Sequence, residues 1–155
     1  MDNPFMARAI QLSIENVQSG RGGPFGAVVV KDGIIIGEAA NQVTSTNDPT
    51  AHAEVLAIRA ACQNLGGFDL EGCEIYTSCE PCPMCLGAIY WARLSRIYFA
   101  NDDADASKIG FDDSLIYREI AKQPSQRKIP MIQIMREEAL QAFHAWESKP
   151  NKIEY

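Results

Sequence analysis

An α/β domain, with one sheet covered by helices on both faces, is the architecture this sequence predicts. Helical and extended segments alternate after an opening hairpin, the pattern of a sheet with helices packed against it. The 155 residues, 46% hydrophobic and 22% charged, suit one soluble globular domain with a substantial core and are too few for two comfortable ones. The sequence shows no repeat, low-complexity stretch or linker, so a single domain spanning 1–155 is expected.

The elements follow in order. Residues 4–17 place Phe5, Ala9, Leu12 and Val17 at helical spacing, and Gly20 ends that helix. Arg21-Gly22-Gly23-Pro24 reads as a loop. Residues 25–30 and 34–38 are rich in branched side chains and are joined by Lys31-Asp32-Gly33, a hairpin in which Gly33 is free to take positive φ. Residues 41–49 form a polar loop, and a helix is predicted over 51–64, stopped by Gly66-Gly67. A short strand covers 74–77 and a turn 79–81, after which Pro83 suits the first position of a helix running to 92. A fourth strand is predicted over 97–100, and an Asp-rich loop leads into a helix over 114–121. A fifth strand is predicted over 131–134 and a last helix over 137–147, while 150–155 carry no clear pattern.

Charge narrows the function. The formal net charge is −6, from 14 basic and 20 acidic residues, and Lys31, Arg59, Arg93, Arg96, Lys108, Arg118 and Lys122 are scattered. Binding a nucleic-acid backbone needs clustered cations, so a small-molecule substrate is favoured over a polymer. No apolar run approaches the length of a membrane span. Residues 1–5 lack the basic start and apolar stretch of a secretory signal. A cytoplasmic setting without membrane association is expected. The five cysteines, Cys62, Cys73, Cys79, Cys82 and Cys85, are odd in number with three in one short segment, which reads as metal ligation rather than a disulfide framework.

His52-Ala53-Glu54 and Pro81-Cys82-Pro83-Met84-Cys85 carry the chemistry. His52, Cys82 and Cys85 are candidate zinc ligands, and three protein ligands on a tetrahedral ion leave one position open for water, the mark of a catalytic site. Water held there ionises near neutral pH, and Glu54 can carry protons between it and a substrate nitrogen. Cys82 and Cys85 are three apart at a helix start, so they share a face, and the helix N-terminus favours thiolates. Residues two apart on a regular helix point to different sides. Glu54 is therefore a poor fourth ligand beside His52 and is left to approach the water laterally. Alternatives stay open at this level: Cys79 could close a structural four-ligand site, the Cys-x-x-Cys could be a redox pair, and Glu54 could merely complement a helix dipole.

His-x-Glu followed by Pro-Cys-x-x-Cys resembles the zinc-dependent nucleobase deaminase family, in which the Glu is the general acid/base. The likeness extends through Gly22-Gly23-Pro24-Phe25-Gly26-Ala27, Asn47-Asp48-Pro49-Thr50-Ala51-His52, and Tyr76-Thr77-Ser78-Cys79-Glu80-Pro81, and it points to the branch whose first ligand is His. Leu86-Gly87-Ala88-Ile89-Tyr90-Trp91-Ala92-Arg93, Gly110-Phe111-Asp112-Asp113-Ser114 and Lys152-Ile153-Glu154-Tyr155 resemble small bacterial guanine deaminases within that branch.

That resemblance implies a cytidine deaminase-like three-layer α/β/α sandwich with a mixed five-stranded sheet. It implies hydrolysis of guanine to xanthine and ammonia at one zinc ion per subunit, with Glu54 as the proton carrier. It implies a homodimer whose C-terminal segments, about 137–155, are exchanged, so that the tail of one subunit closes the other's pocket. Phe25 and Trp91 would contact the purine ring, Asn41 would hydrogen-bond it, Asp113 would accept from its donor edge and Tyr155 would cover it. From the residues alone, Phe25 and Trp91 serve equally as core, Asn41 as a turn residue, and Asp112 and Asp113 as helix caps. Glu80 either meets the exocyclic group or fixes the turn. Guanosine, cytosine or an aminotriazine are alternative substrates. A tRNA adenosine deaminase and a non-catalytic zinc-stabilised domain are more distant readings.

Overall fold

A computed structural model describes residues 2–155, which fall into two compact units, one ending at Asp113 and one running from Ser114 to Tyr155. Helix α1 (Pro4–Gln18) opens the first unit. The Asn3 side chain accepts the N–H groups of Phe5 and Met6 at 3.0 and 2.9 Å, which satisfies two donors that a helix start otherwise leaves unpaired. Strands β1 (Gly26–Lys31) and β2 (Ile34–Ala40) form the hairpin. Asp32 and Gly33 both have positive φ, 49° and 77°, the backbone that matches the twist of a two-residue hairpin turn.

A single turn, α2 (Val43–Thr46), precedes α3 (Ala53–Leu65), which ends on Gly66 in the left-handed region. Strand β3 (Glu74–Cys79), helix α4 (Pro83–Trp91), strand β4 (Arg96–Asn101) and the short helix α5 (Asp103–Lys108) follow. The sheet order is β2-β1-β3-β4, with β1 antiparallel to both neighbours and β3 parallel to β4.

β1 is buried on both faces, and its alternation divides the core. Ala27 and Val29 join Ala53, Ala57, Ala61, Ile75 and Ile89, a cluster that α3 and α4 cover. Val28 and Val30 join Ala9 and Tyr76 on the opposite face, beneath α1. Two glycines allow the helices this close. A Cβ on Gly26 would lie 2.3 Å from the carbonyl oxygen of Ala9, and one on Gly37 would lie 2.5 Å from that of Ala57. The first unit is therefore an α/β/α sandwich with a mixed sheet.

The sheet has four strands among the described residues, not five. Residues 131–134, read as a strand from their branched side chains, take no regular structure. Strand propensity records how well a side chain suits a pleated surface, and a strand forms only where an edge pairs with it. In this chain the run pairs with none, and Ile132 is 81% exposed. The second unit otherwise contains α6 (Ser114–Ile120), a 3-10 turn (Pro124–Gln126) and α7 (Arg136–Ser148), and none of its residues is buried.

Candidate metal centre

The site grows out of one end of the sheet, where β3 finishes and β1 begins. Ala27 pairs with Thr77 at that end. The N–H of Gln42 donates to the carbonyl of Ala51 at 2.9 Å, which sets the segment after β2 beside the segment before α3. Here α3 and α4 both present their N-termini. His52 is the residue immediately before α3 and Cys82 the residue immediately before α4; both have extended backbone, and neither side chain caps its own helix. Side chains at such positions usually accept from the helix N–H groups; these two turn toward each other instead. Cys85 lies in the first turn of α4 and is fully buried.

The three ligand atoms lie within 4.8 Å of one another. Nδ1 of His52 stands 3.5 Å from Sγ of Cys82 and 3.4 Å from Sγ of Cys85. A tetrahedral zinc with ordinary Zn–S and Zn–N bonds requires N···S edges of about 3.6 Å. The two N···S separations therefore suit that ion. The two thiols differ in acidity. Hydrogen bonding from Cys85, then from His52, draws the Cys82 thiol down to about 4. The hydrogen bond to Cys82, burial and the neighbouring Glu54 push the Cys85 thiol strongly up. The hydrogen bond to Cys82 raises His52.

Cys79 does not join this cluster among the described residues. Its Sγ lies 3.7 Å from the carbonyl of Asp102, and burial pushes its thiol up to about 11. The structure gives no support to a fourth sulfur closing the site.

Glu54 is buried, at 5% exposure, inside the first turn of α3. Its Oε2 is 3.4 Å from Sγ of Cys85 and its Oε1 is 3.1 Å from the Thr77 hydroxyl. Burial raises its carboxyl above the ordinary glutamate range. On one regular helix His52 and Glu54 would point to different sides. His52 precedes the helix with φ −73° and ψ 151°, so the angular rule does not apply and both side chains reach the same end of the sheet.

The other candidates are placed unequally. Asn41 is buried, and its backbone N–H donates to the carbonyl of Phe25 at 3.0 Å. Its Oδ1 accepts from the N–H groups of Gly23 and Val43 at 3.4 and 3.2 Å. The acceptor end of the amide is thus committed to the loop, and Nδ2 is the end that can serve a ligand. Phe25 packs edge-on to Phe111, with ring centroids 4.9 Å apart. Burial, then the charge of Cys82, raises the Asp113 carboxyl, so Asp113 lies within electrostatic reach of the cluster. Trp91 is the last residue of α4, 70% exposed and roughly 13 Å along the helix axis from Cys82. Within this chain it is not brought to the thiols. Tyr155 belongs to the second unit. Glu80 holds its turn, accepting from the N–H of Asp103 at 3.3 Å while its own N–H donates to Asn101.

Sequence reasoning passed over Asn16, Thr77 and Phe111. Asn16 is buried and donates through Nδ2 to the carbonyls of Gly23 and Asn41, each at 2.8 Å, stapling the loop that carries Phe25. Its signal was a polar residue on the inward face of α1. For Thr77 the signal was strand alternation: Ile75 and Cys79 share its face, the face that meets α3.

Comparison with known proteins agrees with this geometry. Residues 1–101 match the cytidine and deoxycytidylate deaminase zinc-binding region. The chain is 57% identical over 151 residues to guanine deaminase of Bacillus subtilis, covering 97% of each. The structure of Bacillus subtilis guanine deaminase superposes with a TM-score of 0.96 at 56% identity, over 100% of this chain and 99% of that one. Guanine deaminase of Nitrosomonas europaea superposes with a TM-score of 0.68 at 34% identity, over 73% of this chain and 66% of that one. The tRNA-specific adenosine deaminase of Aquifex aeolicus is 49% identical over 77 residues, 50% of this chain and 51% of that protein. A match across 1–101 that contains all three candidate metal-binding positions, on this fold, means that the chain belongs to the cytidine and deoxycytidylate deaminase family.

Proposed function

We propose that this protein hydrolyses guanine to xanthine and ammonia, using one zinc ion held by His52, Cys82 and Cys85. The observation that carries the reading is similarity to a guanine deaminase along 97% of both chains. The tRNA-specific adenosine deaminases, by contrast, match 50% to 66% of this chain. The net charge of −6 also weighs against a polyanionic substrate.

When bound, zinc supplies a Lewis acid that makes a water molecule acidic near neutral pH. The remaining work falls to side chains. Glu54 takes a proton from the attacking water and delivers it to N3 of the purine as C2 is attacked. A further proton reaches the amine, which leaves as ammonia. Phe25 and Trp91 contact the ring, Asn41 offers Nδ2 to a ring acceptor, and Asp113 accepts from the donor edge. Tyr155 covers the pocket.

The assembly in this reading is a homodimer that exchanges its C-terminal segments, about 137–155, with residues 1–155 acting as one functional domain. One observation supports it: the second unit buries none of its residues. The setting is cytoplasmic. No disulfide links the five cysteines, as a thiolate site requires, and no described helix is long and apolar enough to cross a membrane.

An ammonia-release assay across guanine, guanosine, adenine, cytosine, cytidine and deoxycytidylate, with and without a chelator, tests the substrate. Chelator-sensitive turnover of guanine in preference to the others is expected. Preference for a nucleoside, a pyrimidine or adenine would overturn the assignment.

A further inference from the structure

Thr77 is 1% exposed and points from β3 toward the start of α3. Its Oγ1 lies 3.1 Å from Oε1 of Glu54 and 2.9 Å from the carbonyl oxygen of Cys79. The carbonyl belongs to the end of the strand and is fixed by it, since the following N–H, that of Glu80, donates to Asn101 at 2.8 Å. Thr77 is thus a rigid post. Its β-branched side chain has few rotamers, and its strand lies between β1 and β4 in the sheet.

We propose that Thr77 is a positioning residue for Glu54, fixing the carboxylate arm that moves protons during deamination. The inference rests on the reading of Glu54 as proton carrier. A carboxyl group that gives and takes a proton needs a neighbour able to serve both forms, and a hydroxyl can donate one hydrogen bond and accept others. Thr77 donates to Oε1 when Glu54 is ionised. When Glu54 holds the shuttled proton on Oε2, Oε1 is still an acceptor and Thr77 goes on donating to it. Oε1 stays anchored in both states, and Oε2, beside Cys85, stays aimed at the metal end. Strand backbone in this way sets the direction of a side chain carried on a helix.

The test uses the zinc-loaded enzyme with three variants, Thr77→Val, Thr77→Ser and Glu54→Gln. Valine keeps the shape and removes the hydroxyl; serine restores the hydroxyl. Loss of a hydrogen bond to a charged group corresponds to roughly a ten- to hundredfold rate change. Thr77→Val is therefore expected to lower kcat by that factor, leaving KM, xanthine affinity by calorimetry and zinc stoichiometry within about threefold. Thr77→Ser is expected to recover most of kcat. In the zinc-free protein, the 13C resonance of a labelled Glu54 carboxyl is expected to shift in Thr77→Val and to return in Thr77→Ser. Near-normal kcat in Thr77→Val alongside an inactive Glu54→Gln would overturn the role of Thr77 alone. Normal turnover in Glu54→Gln would instead remove the proton carrier itself. Loss of zinc in Thr77→Val would make Thr77 a support of the metal cluster and contradict the proposal.

Discussion

The two units of this chain carry similar apolar patterns and treat them oppositely. In the first, alternation along β1 sends Ala27 and Val29 to one core and Val28 and Val30 to the other, and all four are buried. In the second, α6 and α7 hold Leu115, Ile116, Phe143 and Trp146 in plain view of solvent, with Phe143 70% exposed. Periodicity says that a face needs cover. It does not say what covers it. The first unit finds the cover locally, because its hairpin and helix-to-strand connections bring the faces together within one chain. The second unit's apolar side chains stay exposed within the chain, and the proposed exchange between subunits would cover them.

The largest expected effect lies at the metal end of the first unit. Glu54→Gln should keep zinc and fold, because it preserves the shape of a buried side chain, and should lower turnover on the order of a thousandfold or more. A variant with a near-normal rate would leave a zinc site without its proton carrier.

Next comes a direct contrast between the units. Gly37→Ala places a methyl group against the backbone of Ala57 and Ala61. It should destabilise the first unit by about 1–3 kcal/mol, read from the denaturant midpoint. Ile132→Ala, at a position 81% exposed within the chain, should leave the midpoint of the first unit unchanged. If exchange covers that residue, it should weaken association, seen by sedimentation at decreasing concentration. A destabilised first unit with unaltered association would break the comparison.

The reading of the sequence divides along the same line. The hairpin, α3, α4 and β4 were legible because each is signalled locally: Asp32-Gly33 at the turn, Gly66 at the helix end, Pro83 at the helix start. The ligand set was legible because His-x-Glu and Cys-x-x-Cys are short-range patterns. The strand over 131–134 was not, because pairing is a property of two segments and propensity describes one. Thr77 and Asn16 were hidden for a related reason. Their partners lie 23 and 25 residues away, and only the packed register of β3, α3 and α1 brings them together.

The smallest effect concerns the outer face of the first unit, where Arg8 of α1 meets Glu38 of β2 through two hydrogen bonds of 2.9 and 2.6 Å. The hydrogen bonds from Arg8 hold the Glu38 carboxyl below the ordinary glutamate range. The contribution to stability is therefore complete above that ordinary range and fades as pH falls through the lowered value. Both side chains are about a third exposed, so Glu38→Gln should remove less than about 1 kcal/mol at neutral pH. It should also flatten the acid-side slope of stability against pH.

The central claim is a zinc site that the polypeptide fills with three donors and leaves open at the fourth. X-ray absorption on the zinc-loaded, substrate-free protein tests it most directly. The expected shell is two sulfurs near 2.3 Å with two nitrogen or oxygen atoms at about 2.0–2.1 Å, one of them exchangeable with solvent. A shell of three sulfurs, with Cys79 drawn in beside Cys82 and Cys85, would contradict it.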